Sequence, residues 1–354
     1  MNCSTWPPSA DIVSFLDASG GVVQDLPDFA QHRATLVAMY GAMVRTRVFD
    51  TKAIALQRTG RLGTYAPSLG QEAIGVGAAA AMRAEDVLLP SFREHAAQLV
   101  RGVTLDELFL YWGGDERGND FEGPRRDFPV CIPVAGHFPH AAGVGLAMAQ
   151  KGEPGVAVAV GGDGATSKGD FYEAMNIVGA WNLPAVFVIN NNEWAISVRR
   201  RAQTAADTLA QKAVAAGIPG VQVDGNDVIA VRATVAHALG WAREGCGGTL
   251  IECLSYRLGD HTTADDASRY RDDAEVSARW KAEPIARLRK HLTDAHGWTR
   301  DEEEDLLDRC HAEVEAAAER YLATAPEPPR AMIDSLLAEL PADLRAQAEE
   351  LGDG

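Results

Sequence analysis

The stretch that most constrains the fold is Gly161-Gly162-Asp163-Gly164, with Asn191-Asn192 ending twenty-nine residues beyond the aspartate. Before it, residues 156–160 (Val-Ala-Val-Ala-Val) form a short apolar run of strand type. After it, Phe171, Ala174, Met175, Ile177 and Val178 recur at helical spacing, which predicts a helix over 169–182. Pro184 ends that helix, and 185–189 reads as a second buried strand. A strand-helix-strand unit of this kind gives parallel strands with a right-handed crossover. Asp163 and Asn192 then leave the carboxyl ends of two strands, where ligands sit in open parallel sheets. Asp163 offers an anionic oxygen and Asn192 a neutral one. A small cation of the magnesium type takes about six oxygens, one or two of them carboxylate and the rest from water and phosphates. Gly162 and Gly164 allow backbone to approach a phosphate closely. On these residues alone the rival reading is an ordinary strand-turn-helix with a glycine-rich turn.

The rest of the chain is of a piece with an α/β core. Residues 1–30 read as an irregular arm with turns at Trp6-Pro7-Pro8 and Leu26-Pro27-Asp28, Asp28 capping the helix that follows. An amphipathic helix runs through Leu36, Met39, Tyr40, Met43 and Val48 to about Arg58. A glycine-rich connection, 60–72, leads to a small-residue helix, 73–81, and 87–90 reads as a strand. Residues 113–127 and 193–206 read as loops, and 140–150 as a buried helix of small residues. Further strands fall at 221–225 and 249–254, with a helix at 228–243 between them. Beyond 274 the pattern is helical and charged, with a last helix at 331–348. A net charge of -17 argues against nonspecific nucleic-acid binding and against an anionic membrane surface. No stretch is long and apolar enough to span a bilayer, and Met1-Asn2-Cys3-Ser4 has no basic or apolar signal character, so a cytoplasmic chain is expected. The five cysteines lack Cys-x-x-Cys spacing, which favours a reducing compartment and no structural zinc.

Together these landmarks resemble the α subunits of the thiamine-diphosphate-dependent decarboxylating component of 2-oxo acid dehydrogenase complexes. The likeness runs from about Gly20 to Gln347 and is nearest to the bacterial pyruvate branch. It is carried also by Leu62-Gly63-Thr64-Tyr65-Ala66-Pro67-Ser68-Leu69-Gly70-Gln71-Glu72-Ala73 and by the segment from Thr208 to Gly220. The resemblance implies a thiamine-diphosphate-binding α/β fold, with a parallel central sheet and helices on both faces. It implies an N-terminal arm and helix over 1–65, the cofactor-binding domain over 66–270 and C-terminal helices over 271–354. It implies that Asp163, Asn192 and the Trp194 carbonyl bind Mg2+, and that Gly162, Gly164 and Ala165 line the diphosphate. Phe92 occupies a phosphate-contacting place that usually holds Tyr, Arg93 and Arg257 would neutralise phosphate oxygens, and Ile132 and Val134 would meet the aminopyrimidine. His261 would be the catalytic histidine, with Tyr270 and Arg271 on a loop that orders over the site. On residues alone, Arg93 also suits a surface ion pair and His261 an exposed loop. His137 stands where many relatives have Gln. Cys131 and Gly136 lack the hydroxyls that hold a potassium ion in several relatives, so none is expected.

The implied activity is decarboxylation of a 2-oxo acid, first of all pyruvate, with transfer of the acyl unit to a lipoyl group on an acyltransferase component. A branched-chain or acetoin-cleaving version shares the motifs, and a noncatalytic cofactor-binding scaffold is the rival of a different class. The chain has no second α/β module, so a β subunit and an α2β2 assembly are expected, with the active site at their interface.

Overall fold

A computed structural model describes residues 11–334 and 337–351. In chain order the elements are α1 (Arg33–Arg58), α2 (Glu72–Ala81), β1 (Val87–Pro90), α3 (His95–Arg101), α4 (Leu105–Gly113), α5 (His137–Lys151), β2 (Ala157–Gly162), α6 (Gly169–Trp181) and β3 (Ala185–Asn191). There follow β4 (Trp194–Ala195), β5 (Val198–Arg199), α7 (Arg200–Gln203), α8 (Lys212–Ala216), β6 (Gly220–Asp224), α9 (Val228–Arg243) and β7 (Thr249–Leu254). The C-terminal part holds α10 (Asp273–Arg279), α11 (Pro284–His296), α12 (Arg300–Ala323), α13 (Ala331–Asp334) and α14 (Ala342–Leu351).

The sheet order is β1-β2-β3-β7-β6, and every pairing in it is parallel. Side chains alternate across a strand, so each strand must satisfy two layers. Ala157, Ala159, Phe187 and Ile189 face α5 and α6, where Phe138, Ala141, Phe171 and Met175 fill the layer. Val158, Val160, Val186 and Val188 face α2 and α9, against Ile74, Ala78, Val231 and Val235. Strands buried on both faces read as continuous apolar runs, which is why 156–160 and 185–189 show no alternation. A further core joins α1, α4, α11 and α12 around Tyr40, Phe49, Phe109, Leu288 and Val314.

Local chemistry ends the central helix where the sequence expects. Asn182 takes the left-handed conformation (φ 53°) that closes α6, a role Asn tolerates. Several expectations change. Asp28 opens a short 3-10 turn, Asp28–Gln31, and His32 precedes α1 without a side-chain cap. The arm is stitched to the sheet edge, with Val13 N–H donating to the Gln222 carbonyl (3.0 Å). Trp6-Pro7-Pro8 and the chain start lie outside the described residues. The segment 193–206 is not plain loop, since it contains β4, β5 and α7. The last helical stretch is two helices, α13 and α14, with Pro341 immediately before the second. Cys131, Cys253 and Cys310 are free. Among the described residues no helix is long and apolar enough to cross a membrane.

Candidate active site

Parallel pairing brings four strand ends to one edge of the sheet. Gly162 at the end of β2 stands opposite Asn190 of β3, and Asn191 stands opposite Leu254 of β7. Past these ends the chain delivers Arg93, Asp163, Asn192 and, from the β7 side, Arg257 and His261. All of these but Arg257 line a cavity of about 520 Å³. Of the residues implied from the sequence, Phe92, Arg93, Ile132, Val134, Gly162, Asp163, Gly164, Ala165, Asn192, Trp194 and His261 line it. Arg257, Tyr270 and Arg271 stand behind this lining.

One end of the cavity has the chemistry of a cation site. Asp163 is 2% exposed. Burial pushes its carboxyl up to about 6, against the pull of hydrogen bonds from Gln203 and Gly164 and the charge of Arg257. Its side-chain partner is a neutral amide, Gln203 Nε2, at 3.0 Å. Such a desolvated carboxylate is relieved by a bound cation. Asn192 Oδ1 accepts the Trp194 N–H at 3.2 Å, and its Nδ2 donates to Gln71 Oε1 at 2.7 Å. Gly162 borders open space, so any side chain there would project into it. A Cβ on Gly164 would lie 2.7 Å from the Ala195 Cβ, leaving no room for one. Among the described residues no three His, Cys, Asp or Glu cluster as a metal cage. One carboxylate with neutral oxygens fits a magnesium-type ion that completes its shell from water and phosphate.

The opposite side is cationic. Arg93 Nη2 reaches His261 Nδ1 at 3.3 Å and the His261 carbonyl at 2.8 Å, and its Nη1 donates to the Pro67 carbonyl. Arg257 Nη1 approaches the same Nδ1 at 3.4 Å. Guanidinium groups only donate, so Nδ1 is the acceptor and the proton of the neutral ring sits on Nε2. Burial, then Arg93 and Arg257, lower His261 to about 4. Arg93 itself is lowered to about 10 by burial and by Arg257. Arg257 Nε is buried without a partner. Two crowded cations, one with a spare donor, suit a polyanionic ligand.

Tyr270 and Arg271 act on this wall from behind. The Tyr270 hydroxyl accepts from Arg257 Nη2 at 2.7 Å and donates to Asp265. Arg271 donates to the carbonyls of Arg257 and Leu258. Between the two ends, the Phe92 ring meets His261 edge-on, centroids 5.9 Å apart, under the Arg93 guanidinium. His137 donates from Nε2 to the Val160 carbonyl (3.0 Å), since a carbonyl only accepts, which leaves Nδ1 bare, buried and without a partner. Burial holds that ring at about 4.

The sequence reading missed Gln71, Gln203, Lys168 and Lys212. Gln71 and Lys168 line the cavity. Lys212 Nζ donates to the carbonyl (2.8 Å) and hydroxyl (3.1 Å) of Thr166, fixing the turn that starts at Asp163. Gln71 and Lys212 fall inside the two quoted motifs, but no local pattern marks their contacts.

The family model described as "Dehydrogenase E1 component" matches residues 40–330. The protein named pyruvate dehydrogenase E1 component subunit alpha from Staphylococcus aureus strain Mu50 is 41% identical over 343 residues, covering 96% of this chain and 92% of its own length. A protein of the same name from Staphylococcus epidermidis is 40% identical, with the same coverage of 96% and 92%.

Proposed function

This chain belongs to the dehydrogenase E1 component family, and we propose that it is the α subunit of a thiamine-diphosphate-dependent enzyme that decarboxylates pyruvate. The acyl group passes to a lipoyl group on an acyltransferase component. The observation that carries this reading is the pairing of Asp163 and Asn192 at two adjacent strand ends, in one cavity with Arg93 and His261. Thiamine diphosphate, when bound, supplies the carbon nucleophile and electron sink for loss of carbon dioxide. Asp163, Asn192 and the Trp194 carbonyl would hold Mg2+, with Gly162, Gly164 and Ala165 along the diphosphate. Arg93 and Arg257 balance its charge. Ile132 and Val134 offer apolar contact to the cofactor's ring.

His261 presents a neutral imidazole whose proton is confined to Nε2, a donor for a substrate carboxylate or for charge that develops during acyl transfer. Tyr270 and Arg271 hold Arg257 and its backbone in place. The lining is incomplete on one side: Ile132, Val134 and Ile196 are 52%, 48% and 56% exposed. Apolar side chains at the mouth of a cofactor cavity favour a second protein body over it. We assign that place to a β subunit in an α2β2 assembly. The test is reconstitution with the β subunit, cofactor and Mg2+, followed by carbon dioxide release from pyruvate and from 3-methyl-2-oxobutanoate. Cofactor binding without release from either acid would favour a scaffold, and preference for the branched acid would move the substrate assignment.

A further inference from the structure

Asp163 and Asn192 are each held by a glutamine, and in both cases the orientation of the amide follows from unambiguous partners. The Trp194 N–H can only donate, so the Asn192 atom it meets at 3.2 Å is Oδ1. Asn192 Nδ2 then faces Gln71, which must present its oxygen, at 2.7 Å. Asn190 repeats the pattern: its Oδ1 takes the Ser255 hydroxyl (2.7 Å) and its Nδ2 donates to the same Gln71 oxygen (2.8 Å). Gln71 is 3% exposed, and its own Nε2 is buried with no partner. The stranded N–H is the cost of an oxygen that accepts from two buried asparagine amides, which an apolar side chain would leave unpaired. Its oxygen is the useful part.

Gln203 works from the other end of its amide. The Val198 carbonyl at 3.4 Å only accepts, so the atom near it is Nε2, which also donates to Asp163 Oδ2 at 3.0 Å. Its Oε1 accepts the Ser167 hydroxyl at 3.3 Å. A Lys or Arg in this place would neutralise Asp163. A neutral amide holds one carboxylate oxygen and leaves the negative charge for a cation.

We propose that Gln71 and Gln203 are positioning residues that set Asn192 and Asp163 for a divalent cation, an inference that rests on reading this cavity as a metal-diphosphate site. Outer partners of this type typically change metal affinity by about 10–100-fold when removed. The experiment uses the chain assembled with its β subunit. Calorimetry gives the half-saturating Mg2+ concentration for thiamine diphosphate binding in wild type, Gln71→Met, Gln203→Met, Asn192→Ala and Gln71→Met/Asn192→Ala. Each glutamine variant should raise that concentration by about 10-fold or more. Gln71→Met should add far less in the Asn192→Ala background than alone, because its effect on the cation runs through Asn192 and only the bond to Asn190 is then left to lose. Half-saturation within about twofold of wild type in both variants, or additive effects in the cycle, would overturn the proposal. Gln203 is only half-buried on a short helix, so Gln203→Met decides the matter if Gln71→Met does not fold. A wild-type complex that binds no cofactor in the presence of Mg2+ would instead remove the site reading beneath it.

Discussion

Truncating His261 to alanine removes the imidazole but leaves the other anchors of the two arginines. Arg93 keeps the Pro67 carbonyl and the backbone carbonyl of residue 261 itself, the latter at 2.8 Å. Arg257 keeps the Ile196 carbonyl (2.9 Å) and the Tyr270 hydroxyl (2.7 Å). The two guanidinium approaches to Nδ1, which at 3.3 and 3.4 Å lie beyond the usual range for N–H donors, disappear together with the edge contact to the Phe92 ring. Their removal should cost about 1 kcal/mol of stability. Cofactor affinity should stay within about threefold of wild type, since neither diphosphate cation moves. Acyl transfer is different. Loss of a proton-donating group at a reacting centre slows turnover by about 10²-fold or more, or about 2.7 kcal/mol of barrier. The assay pairs calorimetric cofactor binding with single-turnover transfer to a lipoyl domain, in the complex with the β subunit. Unimpaired transfer would return His261 to a loop residue. A collapse of cofactor affinity would show that the ring, not the backbone, fixes Arg93.

Asp163→Ala should abolish Mg2+-dependent cofactor binding, and unchanged calorimetric affinity in the variant would refute the cation site. Gly179→Ala should destabilise by about 2 kcal/mol in urea melts. The added Cβ would fall 1.9 Å from the Ala216 carbonyl oxygen, which outweighs a helix-propensity gain of about 1 kcal/mol; a stabilised variant would refute this. Asp50 is raised to about 7 by burial despite hydrogen bonds from Tyr65 and Ser68. A carboxyl with a raised folded-state pKa contributes stability below its unfolded value and loses it as pH rises through about 7. Asp50→Asn should therefore gain on wild type between pH 5 and pH 8, and parallel stability curves would contradict that. His137 and His261 should stay neutral at pH 5.5 with the proton on Nε2, which nitrogen-15 imidazole shifts report; a titration near the ordinary histidine value would refute the burial argument.

The β2-α6-β3 unit was legible because period and punctuation agree there: an apolar run, a glycine turn, a helical stripe and Pro184. Asp163 and Asn192 followed, since strand ends locate ligands. Segment 193–206 resisted because its helix and small hairpin are only two to four residues long, while the Thr104 and Glu107 capping box that opens α4 was a local signal the sequence reading passed over. Arg93 illustrates the limit: sequence places it at a strand end, but only packing binds it to Pro67 and His261. Gln71 and Gln203 lie 121 and 40 residues from the groups they hold. Glutamine has no periodic signature, so nothing local could have marked them.

The pairing of Gly162 with Asn190 has a consequence for how such a site tolerates change. The spacing between its carboxylate and its carboxamide is set by strand register, and a slip would turn every buried side chain of β2 toward the wrong layer. That end of the cavity is therefore as stiff as the core and cannot be tuned by small steps. The mouth carries no such constraint where Ile196 stands exposed, unlike Ile132 and Val134, which are assigned to the cofactor's ring. Substitutions that reshape the choice of acid or of companion can accumulate there while the anchor stays untouched, so an engineer seeking a new substrate should leave the strand ends alone and vary the rim.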